Sequence, residues 1–331
     1  MKKQEVLDAI NKLKPALSDG GILETAGLII LDGERMIAYG DELSVCVPFP
    51  LPFFAVLPWK EFDAFIRKVG TEEFDLALDG DKVTLNAKKT TKAWFNVVLL
   101  SGDLPTFEEV PEADRIVLPE NFNEGLSFCT FSAGSDASLG ILQALSVSEG
   151  KIVSSDRQRI TEFVLSGPCP DILISRGVSD FLSKCGVISI FCGETSDYYW
   201  DKDRTMFSQR KIAGEYPETS EFFDVQGEEI DIPLEIDGAL ERAGIFADGA
   251  GVGSKDYVHL SVSRAGICVT GQGTKGGVEE RIFTRYGGKP LEIEISAQHL
   301  LQILKRTQKA VVGEGAILFV GDDFRHVVAL I

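Results

Sequence analysis

The chain has 331 residues and a formal net charge of −18, with 44% hydrophobic residues. That length sets an expectation of two to three domains. An acidic balance of this size repels a phosphate backbone, so it excludes nucleic acid as a partner of the surface as a whole, though not of a local basic patch.

The first predicted element is a helix over residues 6–17, because Val6, Ile10, Leu13 and Leu17 recur on one face. A hairpin over 28–41 follows, turning at Asp32-Gly33, residues that tolerate positive φ. Residues 57–69 read as a strand end and a short amphipathic helix. Phe74, Leu76 and Leu78 then alternate with polar residues, turn at Asp79-Gly80-Asp81 and return through Val83, Leu85 and Ala87.

The same order then recurs twice. Residues 119–128 and 233–246 are the counterparts of the first helix, the former resting on Phe122, Leu126 and Phe128, the latter on Leu234, Ile236, Ala239, Leu240, Ala243 and Phe246. Residues 144–156, turning at Glu149-Gly150, and 258–271 are the hairpins. Residues 174–186 and 295–307 repeat the strand end and second helix, so the three copies start at Leu57, Ile174 and Ile295. Residues 317–331 repeat the later strands around Gly321-Asp322-Asp323. A recurrence of domain size implies tandem domains rather than a solenoid. Gly102-Asp103-Leu104-Pro105 and Gly214-Glu215-Tyr216-Pro217 close two of the repeats, and the acidic stretches after them, 107–114 and 218–231, read as linkers. The expected domains are 1–111, 112–223 and 224–331, each α+β with two helices on one face of an antiparallel sheet.

Signals for chemistry are few. The six cysteines (Cys46, Cys129, Cys169, Cys185, Cys192 and Cys268) form no CxxC pair, and His259, His299 and His326 lack ligand spacing. No metal or cofactor is therefore expected. Gly271-Gln272-Gly273-Thr274-Lys275-Gly276 fits a dinucleotide fingerprint literally, but Val278, Arg281, Phe283 and Arg285 follow in strand-like alternation where that site needs a helix. Residues 249–255 look like a phosphate loop but have Ser254 before Lys255 and no strand–helix context. Acidic pairs such as Glu108-Glu109 sit in linkers, and no nucleophile–base order appears, so the chain does not read as an enzyme. The opening residues meet acid before any apolar run, and no stretch approaches the about 20 apolar residues of a membrane span. A cytoplasmic protein with reduced thiols and no membrane partner is expected.

Helix, strands, helix, strands, three times over, with Ser155-Asp156-Arg157-Gln158-Arg159-Ile160, the Gly214–Pro217 word and the helix start at Ile174-Ser175-Arg176-Gly177, resembles the bacterial sliding clamp family, the β subunit of DNA polymerase III. The resemblance spans the whole chain. It implies a homodimeric ring of six clamp-type domains, with helices lining the hole and sheets on the rim. It also implies the function of a processivity factor that encircles double-stranded DNA without sequence preference. DNA polymerase and the clamp loader would dock through a short peptide motif. Two features depart from the family pattern. Arg157 stands where the family has glycine, and Val327-Val328-Ala329-Leu330-Ile331 stands where the family has a longer Met-Pro-Met-Arg-Leu tail. They fit a divergent or phage-type member, and they keep open a second reading, a clamp-derived interaction scaffold that does not encircle DNA.

The charge pattern offers a separate test of that resemblance. Cations gather on the predicted helices: Lys60, Arg67 and Lys68, then Arg176 and Lys184, then Lys305, Arg306 and Lys309, with Lys12, Lys14 and Arg242 on the first helices. The acids gather in loops, at Asp201, Asp203, Glu228-Glu229 and Asp322-Asp323. A basic lining in an acidic body would contact phosphates alone and let DNA slide. By resemblance, the partner peptide would enter an apolar groove between the second and third domains, walled by Leu142, Ser155, Arg157, Arg159, Ile160, Pro217, Phe222, Val328 and Leu330.

Overall fold

A computed structural model describes residues 1–17, 23–87, 91–107, 110–247 and 257–330. The Glu108-Glu109 pair and the 249–255 loop lie outside the described residues. Among those described, the α-helices are α1 Lys3–Leu13, α2 Trp59–Lys68, α3 Phe122–Thr130, α4 Arg176–Cys185, α5 Ile236–Phe246 and α6 Ala297–Leu304.

Each third of the chain runs through one plan: a helix, three antiparallel strands, a fourth strand that leads directly into the second helix, then a three-stranded meander. In the first third these strands are Leu28–Asp32, Arg35–Tyr39, Leu43–Pro48 and Phe54–Pro58, then Asp75–Asp79, Lys82–Ala87 and Thr91–Asn96. The third repeats the plan with Tyr257–Ser263, Gly266–Gly273, Gly276–Ile282 and Leu291–Ser296, then Lys309–Gly313, Ala316–Val320 and Phe324–Ala329. Local chemistry explains the element ends. Val6, Ala9, Ile10 and Leu13 form the buried stripe of α1. Ser175 and Ser296 cap α4 and α6 by accepting from the Val178 and His299 amides, and Gly186 ends α4 at φ 69°.

The described chain forms two compact units. One comprises Met1–Ser127 and Ser166–Ala213, the other Phe128–Leu165 and Gly214–Ile331, so the middle third contributes to both. In the first unit, Leu43–Pro48 pairs with Met206–Arg210, placing Val45 opposite Phe207 and Cys46 opposite Met206. That pairing fuses strands of the first and second thirds into one eight-stranded sheet. Three further strands, Asp75–Asp79, Lys82–Ala87 and Thr91–Asn96, form a separate sheet. In the second unit, Arg159–Val164 pairs with Phe324–Ala329, placing Arg159 opposite Val328 and Glu162 opposite Arg325. The second and third thirds are joined there by the same device. A four-stranded sheet in the order Gly276–Ile282, Gly266–Gly273, Tyr257–Ser263, Leu291–Ser296 completes this unit.

Three expectations about elements need correction. Leu234 is 64% exposed and precedes α5, which begins at Ile236 beyond Pro233. The 218–231 stretch is not a plain linker. It holds a 3-10 turn at Ser220–Phe223 and an edge strand, Gly227–Asp231, paired with Lys309–Gly313. Lys309 therefore starts a strand, because α6 already ends at Leu304.

The literal dinucleotide fingerprint is a β-hairpin, with Gly273 opposite Gly276 and no helix after it. Its first glycine has a packing reason. A Cβ on Gly271 would stand 2.1 Å from the Ala243 carbonyl oxygen, so α5 rests on bare backbone there. Gly271→Ala is expected to lower stability by about 1–3 kcal/mol through overpacking, read by denaturant unfolding of the variant against the parent chain.

Candidate functional site

The helix cations fall into two groups. Lys12 reaches across the first joint to Asp201 at 2.7 Å, Asp203 at 2.9 Å and the Thr205 hydroxyl at 3.0 Å. Burial opposes its charge, but the hydrogen bonds to Asp201 and Asp203 outweigh that and raise its pKa. The Asp201 side chain is almost wholly buried, so Lys12 is a brace between α1 and the neighbouring strands. Asp63 pairs with Arg67 at 2.9 Å and with Lys14 at 3.7 Å, and Arg67 also donates to Asn11. Lys184 pairs with Asp180 one turn away, and Arg242 makes a two-pronged pair with Glu280. Among the described residues no carboxylate forms an ion pair with Lys68 or Arg176, and Lys305 acts on the Asp237 carboxylate from beyond ion-pair distance. Lys60 is exposed on α2, and Arg306, just past α6, lies 4.9 Å over the Phe128 ring. Exposed ion pairs are worth about 0–1 kcal/mol. A phosphate can therefore compete for Lys184 and Arg242, while Arg67 is held more firmly by Asp63, which is 9% exposed, and Lys12 by the buried Asp201.

The nine groove residues all belong to the second unit. Ser155 ends one strand and Arg159 begins the next, and Asp156 organises the turn between them. Its Oδ1 accepts from the Gln158 and Arg159 amides, both at 3.1 Å. Arg157 is exposed at φ 74°, with its amide donating to the Ser155 hydroxyl at 3.2 Å. This is the left-handed conformation that glycine adopts without cost, which is why a glycine suits this turn. Ile160 is half-buried against Phe223, Leu318 and Val327. Pro217 and Phe222 are exposed, while Leu142 and Leu330 are half-buried.

Arg159 and Val328 are placed otherwise than as groove walls. Val328 is 2% exposed in the middle of the sheet. Arg159 is turned inward: its Nε meets Asp156 at 3.0 Å, its Nη1 bonds Gln302, its Nη2 bonds the Phe131 carbonyl, and its guanidinium lies 5.1 Å over the Phe131 ring. It ties α6 and the chain after α3 to the turn. Next to it, Thr161 bridges Ser132 and the buried His326. No local pattern signals these partners, since Gln302 and His326 are far from Arg159 and Thr161 along the chain.

Among the described residues, no cluster of His, Cys, Asp or Glu could hold a metal ion, and no helix is long and apolar enough to cross a membrane.

No family model matches the chain, and no curated protein matches it in sequence. Solved structures match over its whole length. The β chain of DNA polymerase III from Streptococcus pneumoniae superposes with a TM-score of 0.85 at 16% identity, covering 100% of this chain and 98% of that one. The DNA polymerase sliding clamp of Bacillus subtilis gives 0.84 at 17%, and the β subunit from the DNA polymerase of Streptococcus pyogenes 0.86 at 16%, each with the same 100% and 98% coverage. At such identities the likeness establishes the fold: the chain has the sliding-clamp fold, α+β throughout, as the sequence resemblance implied.

Two outcomes follow from the Arg159 and His326 network. Arg159→Ala should cost about 3 kcal/mol, because Asp156 is left without its charged partner in a largely buried turn. Burial, reinforced by the Arg159 and His299 charges, pushes the His326 pKa well below its ordinary value of 6.5. Neutral His326 thus contributes stability that is complete above the unfolded-state pKa and is lost as pH falls from there towards the folded-state value. Melting temperature should drop between pH 7.5 and pH 5.5, and less steeply in His326→Gln; equal slopes would remove His326 as the cause.

Proposed function

We propose that the chain is a DNA sliding clamp, a non-catalytic cytoplasmic processivity factor. Three domains (1–111, 112–223 and 224–331) would close as a homodimeric ring around duplex DNA. One observation carries the reading. The third strand of one repeat pairs with the last strand of the next at both joints within the chain, and one strand of each kind is left over. The remaining third strand is Gly276–Ile282 and the remaining last strand is Thr91–Asn96, each outermost in its sheet among the described residues. Exposed edges of this kind invite pairing with another chain. Two copies exchanging these edges head to tail would form two further joints like the internal ones, and the assembly would close.

The register of that joint follows from the hairpins. Cys46, Glu162 and Arg281 are equivalent, since they face Ile37, Val153 and Cys268, which pair back across the preceding hairpins with Ile30, Ser146 and Ser261 at matching distances from those turns. Met206, Arg325 and Lys92 are equivalent in the same way, facing Trp200, Val320 and Asn86. Cys46 faces Met206 and Glu162 faces Arg325. Arg281 would accordingly face Lys92 of the second copy, Val278 would face Phe95, and Ile282 would face Thr91. The like charges repel, but Glu279, 3.6 Å from Arg281, offsets them. The apolar and β-branched pairs supply the attraction.

In such a ring Lys68, Arg176, Lys305 and Arg306 would meet phosphates, with Lys60, Lys184 and Arg242 re-pairing as DNA passes, and with Lys14, Arg67 and Lys309 at the margin. Contacts to phosphate alone permit sliding, and closure rather than affinity retains the DNA. DNA polymerase and the clamp loader would each place a short peptide on the surface formed by Arg157, Ile160, Pro217 and Phe222, with Leu142 and Leu330 beside it and Ser155 buried beneath.

Val278→Asp should convert the dimer into folded monomers, read by sedimentation, because a carboxylate would face Phe95 at the joint. Lys68→Glu combined with Arg176→Glu should leave the dimer intact. It should shorten the tracts that a cognate polymerase copies on primed circular DNA by several-fold, since about two phosphate contacts per copy become repulsions. Unchanged tract length would remove these residues from the lining. A dimer that a cognate loader cannot place on nicked circular DNA would favour the scaffold reading.

A further inference from the structure

A cleft of about 590 Å3 lies along Gly227–Asp231, the outermost strand of the eight-stranded sheet that holds the second joint. Among the described residues that strand is paired on one side only, with Lys309–Gly313. The Ile232 amide donates to the Gln308 carbonyl at 2.9 Å, in register with the pairs Ile230–Ala310 and Glu228–Val312. Antiparallel bonding alternates along a strand, so those pairs bond inward, and the amides and carbonyls of Glu229 and Asp231 point to the open edge. Both residues line the cleft, with Ile230 between them and Val311 and Val320 as apolar walls. The strand carries three carboxylates, Glu228, Glu229 and Asp231, in five residues. Glu229 and Asp231 are exposed, and no ion pair engages either among the described residues. Of the two cations in the lining, Lys309 stands opposite Asp231 on the inner neighbour strand, and Arg285 is exposed on the loop after Gly276–Ile282. Tyr286 points independently to a ligand. It lines the cleft at 6% exposure, and its buried hydroxyl has no partner among the described residues. Burial and the nearby Glu228 push its pKa up, which keeps it protonated. A buried donor left unpaired is costly, and an incoming acceptor would relieve it.

We propose that an extended basic segment of a partner protein adds to this edge as a further strand. Its backbone would pair with Glu229 and Asp231, and alternate Lys or Arg side chains would meet those two carboxylates. The apolar residues between them would fall on the Ile230 side of the pleat, and an acceptor of the segment would take the Tyr286 hydroxyl proton in a hydrogen bond. Charge complementarity selects this occupant: in a chain of net charge −18 the same carboxylates repel a second copy and favour a basic strand. The fold accepts an added segment of this kind elsewhere. In the first unit the Val98 amide donates at 2.8 Å to the Val56 carbonyl of Phe54–Pro58, which is the outermost strand of its sheet. The cleft shares no residue with the groove proposed near Ser155, and it does not depend on the ring.

The test uses the full chain and a fluorescein-labelled peptide, Lys-Ile-Lys-Val-Lys, with two twins. Gln-Ile-Gln-Val-Gln keeps the strand pattern without the charge, and the basic peptide N-methylated at every backbone amide keeps the charge without the donors. Fluorescence anisotropy should show the basic peptide binding at least about ten-fold more tightly than either twin. Glu229→Lys combined with Asp231→Lys, both at exposed positions, should weaken binding by about ten-fold or more. Tyr286→Phe, which keeps the ring, should weaken it by about three-fold or more without lowering the melting temperature. Hydrogen exchange at the Glu229 and Asp231 amides should slow when the peptide binds. Phe222→Ala, in the other groove, should leave binding unchanged. Equal affinity for the N-methylated twin would mean charge attraction alone and would overturn the proposal. So would binding that survives the double reversal, that depends on Phe222, or that leaves the Glu229 and Asp231 amides unprotected.

Discussion

Backbone hydrogen bonding between the outer strands of successive repeats is the constraint on which the rest of the structure depends. A strand edge exposes unpaired donors and acceptors and must be covered or paired. Here Leu43–Pro48 is covered by Met206–Arg210, and Arg159–Val164 by Phe324–Ala329. Both pairings join segments more than 150 residues apart, so neither arises from local chain folding. Side chains then reinforce each joint differently. The first is braced by Lys12 on Asp201 and Asp203, and the second by the Glu162 carboxylate, which receives both Lys151 and Arg325.

The same joint is thus held by different side chains in its two copies. The buried Glu162 carboxylate, shared by Lys151 and the half-exposed Arg325, helps to fix the second joint, because removing both cations would strand its charge. The corresponding Cys46 and Met206 make an apolar contact instead, with Trp200 beside Met206. The repeat supplies the same joint geometry twice within the chain, and substitution at equivalent positions decides what holds each copy.

Much of this was legible in the sequence, for physical reasons. The α1 stripe from Val6 to Leu13 and the turns at Asp32-Gly33 and Glu149-Gly150 are local patterns that the fold keeps. The strand at Gly227–Asp231 was hidden because Glu228 and Glu229 look like linker residues; an edge strand tolerates such charges where a central one would not. Lys309 looked helical because it trails Lys305 and Arg306, yet the helix stops at Leu304. Lys12 and Arg159 could not be read at all. As residue types both look like surface cations, and only folding brings Asp201 to the first and Gln302 to the second.

The central claim is that Gly276–Ile282 and Thr91–Asn96 of two copies make the joint that the chain cannot make alone. The most direct measurement is absolute mass by light scattering across a concentration series, with small-angle X-ray scattering on the same peak. The account predicts a particle of twice the 36.1 kDa chain mass, whose scattering profile shows a central hole. A monomer at every concentration, or a dimer without a hole, would contradict it.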